Sequence, residues 1–470
     1  PKHPPKGDQA MSFPGDFVWG VAAASYQIEG AATADGRGPS VWDAFAERPR
    51  AVFDGHTGAN ACDHFHRYPE DVVLIADLGV KAYRLSVSWP RILPDGEGKP
   101  NEAGLDFYDR LIDALLARGV TPWVTLFHWD FPLALFHRGG WLNRNVVDWF
   151  GNYTRIVVER LGDRVQHWIT LNEPQVFLGL GHAAGTHAPG MQYARPDVLR
   201  AIHNALLTHS RAVQVIRESS PRPPIVGCAP HGAMPYPATT NERDIAAART
   251  SFETIAENGG WYFSNTWYSD PVIRGEYPES GLRQFGHEMP RGFERDLPEM
   301  AQKLDFFGVN IYQGTPTYAD EQGEIRNAPR PAGYPQTMCR WPVEPEVLYW
   351  GPRFLHERYK LPIYITENGC GAMDWVHADG KVHDAPRVDF TTRYLLALQQ
   401  AIADGVDVRG YFHWSILDNF EWAEGYRMRF GLVYVDYKTM ERIPKDSYAW
   451  YQQVVLANGA CLPEKAAPLR

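Results

Sequence analysis

A chain of 470 residues, 44% apolar and 22% charged, is long enough for one large domain or two ordinary ones. Its formal net charge of −10, with no run of Lys or Arg, argues against a nucleic-acid groove. No stretch reaches the roughly 18 consecutive apolar residues that a membrane-spanning helix needs.

The chain opens on a Pro- and Lys-rich stretch, residues 1–10, which lacks the apolar core of a secretory signal and reads as a leader before Met11. Residues 11–470 then show no break in composition and read as one domain. Short apolar, β-branched runs occur at 17–23, 81–89, 121–128, 165–171, 225–229, 306–312, 361–366 and 408–414. Helical patterns at 68–78, 105–118, 146–161 and 198–218 precede the second to fifth of them, with Gly79 and Gly119 placed as helix C-caps. No GxGxxG turn follows any of these runs, which weighs against an open doubly wound sheet. The expected fold is α/β, a single (β/α)8 TIM barrel with its active site at the C-terminal ends of the strands. Five scattered cysteines without CxxC spacing describe reduced thiols of a cytoplasmic protein and offer no metal site.

Two strand ends stand out. Ile363-Tyr-Ile-Thr-Glu-Asn-Gly369 and His167-Trp-Ile-Thr-Leu-Asn-Glu-Pro174 each run from apolar residues into a glutamate beside an asparagine. A closed barrel brings such ends to one mouth, together with Gln27, His128, Asn310, Tyr312, Trp414 and Glu421 from other strands. Two facing carboxylates among amides, a histidine and many indoles suit glycoside hydrolysis, where one carboxyl is protonated and the other ionised. The competing chemistries lack their motifs: there is no HExxH, no GxSxG, and His64 and His66 near Asp63 have no zinc-ligand set. Asn172 is placed to bond a sugar hydroxyl. Arg84, on the inward phase of the second strand, reads equally as the cation that keeps a neighbouring glutamate ionised or as a structural ion pair.

Thr170-Leu-Asn-Glu-Pro174 and Tyr364-Ile-Thr-Glu-Asn-Gly369 resemble the two signature motifs of glycoside hydrolase family 1, the β-glucosidase family. The resemblance also takes in Phe13-Pro-Gly-Asp-Phe-Val-Trp-Gly20, Arg84-Leu-Ser-Val-Ser-Trp-Pro-Arg-Ile92, Leu126-Phe-His-Trp-Asp130 and Trp414-Ser-Ile-Leu-Asp-Asn-Phe-Glu-Trp422, in family order over about residues 12–455. It implies a retaining catalytic domain with Glu173 as acid/base and Glu367 as nucleophile, the latter supported by Arg84 and Tyr312. It further implies a glycone site of Gln27, His128, Trp129, Asn172, Glu421 and Trp422 with Trp414 as platform, Asn310 and Tyr312 near the nucleophile, and Trp341 on the aglycone side. The implied substrates are cellobiose, short cellodextrins and aryl or alkyl β-glucosides. β-Galactosidase, β-fucosidase and transglycosylation side activities are open.

Relatives that only bind sugar usually lose one carboxylate, and both are present here. Glu421, where a phosphorylated O6 would lie, favours unphosphorylated sugars. The reading includes no cofactor and no metal. Its partners are small neutral β-glucosides and glucose, and it leaves a homo-oligomer open. Departures from the family pattern are Arg340 before Trp341 where Gly is common, the loop Glu344-Pro-Glu-Val-Leu348, Gln175-Val176 after the acid/base motif, and a Trp261 loop without a place. His64, His66, His231 and the cysteines receive no role.

Overall fold

The computed structural model describes residues 12–256 and 260–469; the leader expected over 1–10 and the start at Met11 lie outside the described residues. Eight parallel strands, β1 Val18–Ala22, β2 Ala82–Ser86, β3 Thr121–Phe127, β4 His167–Asn172, β5 Ile225–Ala229, β6 Phe306–Asn310, β7 Ile363–Asn368 and β8 Val408–Trp414, pair in chain order. β8 pairs back onto β1, so the sheet closes as a (β/α)8 barrel. The strands read as nearly unbroken apolar runs because both faces are covered, by helices outside and by side chains inside. The inside is filled by Trp123, Ile169, Phe306 and Phe412 packed against Ala22, Ala82 and Ala229. The Trp123 ring lies 5.3 Å from Phe306 and 5.0 Å from Phe412, which makes a solid floor beneath the mouth.

The expected elements are present with shifted ends. The 81–89 run stops as strand at Ser86, because Pro90 lacks an N–H for the ladder and opens a short helix, Trp89–Ile92. Helix 68–78 begins earlier, as His64–Asp77, with Pro69 accommodated inside it. The other three are Glu102–Ala117, Val146–Leu161 and Arg195–Ser219. Gly79 and Gly119 take φ of +78° and +73°, as residues that close a helix do. Helices Val347–Tyr359 and Ala385–Ala403 follow β6 and β7. Two small sheets on the loops were not legible, since their strands run only three to five residues. All five cysteines are free. Among the described residues no helix is long and apolar enough to cross a membrane.

Candidate active site

Strand alternation alone would point Glu367 the wrong way. Along β7, Tyr364 packs into the barrel interior while Ile363 and Ile365 pack outward, so a regular strand would send Glu367 out with them. The pairing with both neighbours slips after Ile365, and the irregularity returns Glu367 to the mouth. β4 does the same after Ile169: Leu171 joins the outer core, and Asn172 turns in. Glu173 follows with φ +47°. Its N–H donates to the Ala229 carbonyl at 2.8 Å and Pro174 starts the next helix. A left-handed conformation costs a glutamate about 1 kcal/mol or more. Trp129 and Trp422 also carry positive φ, so three of the mouth's side chains are held by such bends.

Arg84 lies at the centre of what these bends assemble. From β2 its Nη1 donates to Glu367 Oε1 at 2.5 Å and its Nη2 to Asn172 Oδ1 at 2.6 Å. Asn310 Nδ2 donates both to Asn172 Oδ1 at 3.0 Å and to Glu173 Oε1 at 2.8 Å. Tyr312 Oη donates to Glu367 Oε2 at 2.8 Å, so each oxygen of Glu367 has a donor. With Asn172 Oδ1 committed to two donors, its Nδ2 faces His128 Nε2 at 3.0 Å. That nitrogen therefore accepts, which places the ring proton of neutral His128 on Nδ1.

Above this floor opens a cavity of ≈ 290 Å³. Glu173, Glu367, His128, Trp129, Tyr312, Trp341, Trp414, Glu421 and Trp422 all line it. Arg84, Gln27, Asn172 and Asn310 lie buried just beneath. Gln27 Nε2 donates to Asn419 Oδ1, to the Phe420 carbonyl and to Glu421 Oε2 at 3.2 Å, holding the loop after β8 in place. Trp129 and Trp422 pack at 4.5 Å between centroids, and Trp341 packs on Tyr312 at 5.2 Å.

Several lining residues were not foreseen. His231, given no role from sequence, lines the cavity with Nδ1 3.9 Å from Glu173 Oε1. Its Nδ1 also bonds the Asn310 carbonyl at 3.0 Å. Gln313, Phe263 and His187 join it, and Val176 of the unusual Gln175-Val176 pair does too. His187 stands in a His-Ala-Pro-Gly motif that could have flagged it; His231 and Gln313 follow strand ends at spacings no motif marks, and Phe263 sits in the short helical turn Trp261–Phe263. Trp261 packs instead on Phe285, outside the cavity. His64 is buried against Asp71, and His66 is exposed beside Asp63. Glu344, from the unusual loop, is fully buried and accepts from Arg330 and from the Gly314 N–H.

Burial sets the charges. It pushes Glu173 up to about 7, opposed by the Asn310 bond and the Arg84 charge. It raises Glu367 to about 7 as well, with the Glu173 charge adding to it while Arg84 and Tyr312 oppose. Glu421 goes up to about 8, again through burial first and then the other two carboxylates. Burial keeps His128, His187 and His231 neutral, below the ordinary histidine range. Glu173, Glu367 and Glu421 thus act on one another beside the Arg84 guanidinium and titrate as a group, with Glu424 also lining the cavity and adding to the rise at Glu421. Glu367 is in direct contact with that guanidinium and Glu173 is not. Among the described residues no Lys or Arg lines the cavity. Among the described residues no group of His, Cys, Asp and Glu is arranged to hold a metal.

The family model for glycosyl hydrolase family 1 matches residues 9–460. This chain belongs to that family. Beta-glucosidase A of Thermotoga maritima is 46% identical over 452 residues, 95% of this chain and 98% of the relative. A solved Thermotoga maritima β-glucosidase in complex with glucoimidazole superposes with a TM-score of 0.88 at 46% identity, covering 96% of this chain and 100% of that one. An aryl-phospho-β-D-glucosidase of Bacillus subtilis is 40% identical over 483 residues, 96% of this chain and 98% of the relative. Overall identity therefore does not separate plain from phosphorylated sugars, and the pocket has to.

Proposed function

We propose that this family 1 enzyme is a retaining β-glucosidase in which Glu367 is the nucleophile and Glu173 the acid/base. The observation that carries the reading is the asymmetry in what the two carboxyls touch: Glu367 accepts from the Arg84 guanidinium at 2.5 Å and from the Tyr312 hydroxyl at 2.8 Å, whereas Glu173 accepts from the Asn310 amide at 2.8 Å. Ionised Glu367 attacks the anomeric carbon as Glu173 passes its proton to the departing glycosidic oxygen. The C1–O bond breaks and a glycosyl ester forms on Glu367. Glu173, now a carboxylate, takes a proton from water, whose oxygen attacks C1 and expels Glu367. Two inversions leave the product β. Glucose with its hydroxyl opposite the aglycone sits over Trp414, with Glu421, Gln27, His128 and Trp422 around its hydroxyls. Asn172 Oδ1 already accepts two bonds, so Asn172 contributes to the sugar through Nδ2 alone.

A cavity lined by Glu421 and Glu424, and by no Lys or Arg among the described residues, repels a phosphate dianion, which favours neutral aryl and alkyl β-glucosides, cellobiose and short cellodextrins. Interception of the same ester by a sugar instead of water makes transglycosylation a side reaction. The free cysteines suit a cytoplasmic location. Proton NMR during the first minutes of hydrolysis of an aryl β-glucoside tests the reading: β-glucose appears first and mutarotates later. Initial α-glucose, or no turnover, overturns it.

A further inference from the structure

Three residues before Glu421, the loop after β8 is gripped from outside the barrel. Asp418 is fully buried; its Oδ1 accepts from Lys445 Nζ at 2.7 Å and from the Gly431 N–H at 3.0 Å, and its Oδ2 accepts from Arg429 Nη1 at 2.7 Å. Lys445 is nearly fully buried too and reaches Asp374 Oδ2 at 2.6 Å. Arg387 bonds that same Asp374 oxygen at 2.7 Å and also pairs with Asp384. Asp384 in turn accepts from the N–H and hydroxyl of Ser447, in the first turn of the terminal helix Asp446–Leu456.

Asp374, Asp384 and Asp418 thus face Arg387, Arg429 and Lys445, and the cluster is electrically balanced. None of these six residues lines the cavity. Desolvating so many charges is expensive and stabilises little in net terms. What the cluster does achieve is a fixed position for Asp418, whose N–H also donates to the Val433 carbonyl at 2.9 Å. Asn419, the next residue, accepts from Gln27 at 3.0 Å, and Glu421 and Trp422 follow directly.

We infer that Lys445, through Asp418, is a positioning residue for the glycone site: it sets where Glu421 and Trp422 meet the sugar's outer hydroxyls. The inference rests on the β-glucosidase reading, in which Glu421 and Trp422 lie around the sugar's hydroxyls. A xyloside lacks the C6 hydroxymethyl group and so makes fewer of these contacts. Displacement of the loop penalises a glucoside more than a xyloside, whereas general loosening penalises both alike.

The test compares kcat/KM for 4-nitrophenyl β-glucoside and 4-nitrophenyl β-xyloside, which share a leaving group, alongside the melting temperature. Lys445→Met leaves a buried charge imbalance and can fail to fold. Lys445→Met combined with Asp374→Asn removes one charge of each sign and keeps the cluster balanced, and Lys445→Arg keeps the cation. The balanced double variant is expected to melt near the wild type yet lose about ten-fold or more of its glucoside-over-xyloside preference, in line with the sensitivity of catalysis to displacements of about 1 Å. Lys445→Arg recovers part of that preference. An unchanged preference in the folded variants overturns the inference while leaving the β-glucosidase reading intact. Collapse of every variant, Lys445→Arg included, makes the cluster purely structural and overturns it as well. A wild type that hydrolyses neither substrate defeats the β-glucosidase reading itself.

Discussion

Glu173 and Glu367 are joined by one unbroken chain of hydrogen bonds, through Asn310, Asn172 and Arg84, although they belong to the ends of different strands. The chain is directional in charge. The Glu367 end carries the guanidinium and a phenol, and the Glu173 end carries only an amide. One scaffold therefore gives two glutamates different hydrogen-bond donors.

Arg84→Met removes that distinction. Arg84 opposes the burial that raises Glu367, so its loss moves the Glu367 pKa further up and starves the enzyme of nucleophile at neutral pH. The expected loss in kcat is about 10²–10³-fold, the scale found when one preorganised donor is deleted. The acid limb of the kcat/KM profile shifts to higher pH. An unshifted limb would show that Arg84 is a structural pair alone.

A proton on Glu173 sets the alkaline side of the profile. With Glu173 pushed up to about 7, activity toward substrates needing a protonated leaving group falls as pH rises through that region. Glu173→Gln, assayed with a dinitrophenyl β-glucoside that leaves unaided, flattens this limb.

The same shift affects stability with a definite sign. The folded state binds a proton at Glu173 that the unfolded chain, near 4.5, releases, so stability is lost as pH climbs from about 4.5 through 7. Glu173→Gln removes the penalty. Its stability relative to the wild type increases from pH 4 to pH 8, by roughly 3 kcal/mol at most. Chemical denaturation at the two pH values measures it.

Arg340 explains one departure from the family pattern. Its φ is +60°, a conformation that favours glycine, and the side chain is exposed. Arg340→Gly is expected to stabilise the protein by about 0.5 kcal/mol, strain relief slightly exceeding the added chain entropy, with kcat on aryl glucosides unchanged. Thermal unfolding of the variant decides the sign.

How far the site could be read from residues alone follows from range. The barrel was legible because each strand is a local apolar run, and the glutamates because each ends such a run beside an asparagine. The register slips after Ile169 and Ile365 were not, since they arise between strands and leave no mark in either. His231 was set aside as ordinary packing or solvent exposure; it reaches the cavity because β5 ends next to β4, a pairing between strands that the residues around His231 do not mark. The Lys445–Asp418 grip joins the terminal segment to a loop over 27 positions and has no periodic signature.

The central claim is that Glu367 bonds covalently to the sugar. Incubation with a 2-deoxy-2-fluoro β-glucoside carrying a dinitrophenyl leaving group slows release of the ester more than its formation, and proteolysis with mass analysis then locates the label. The account predicts one fluoroglucosyl unit per chain on the peptide containing Ile363-Tyr-Ile-Thr-Glu-Asn-Gly369, fragmenting to Glu367. A label on Glu173 or Glu421, or stoichiometric inactivation with Glu367 unmodified, would contradict it.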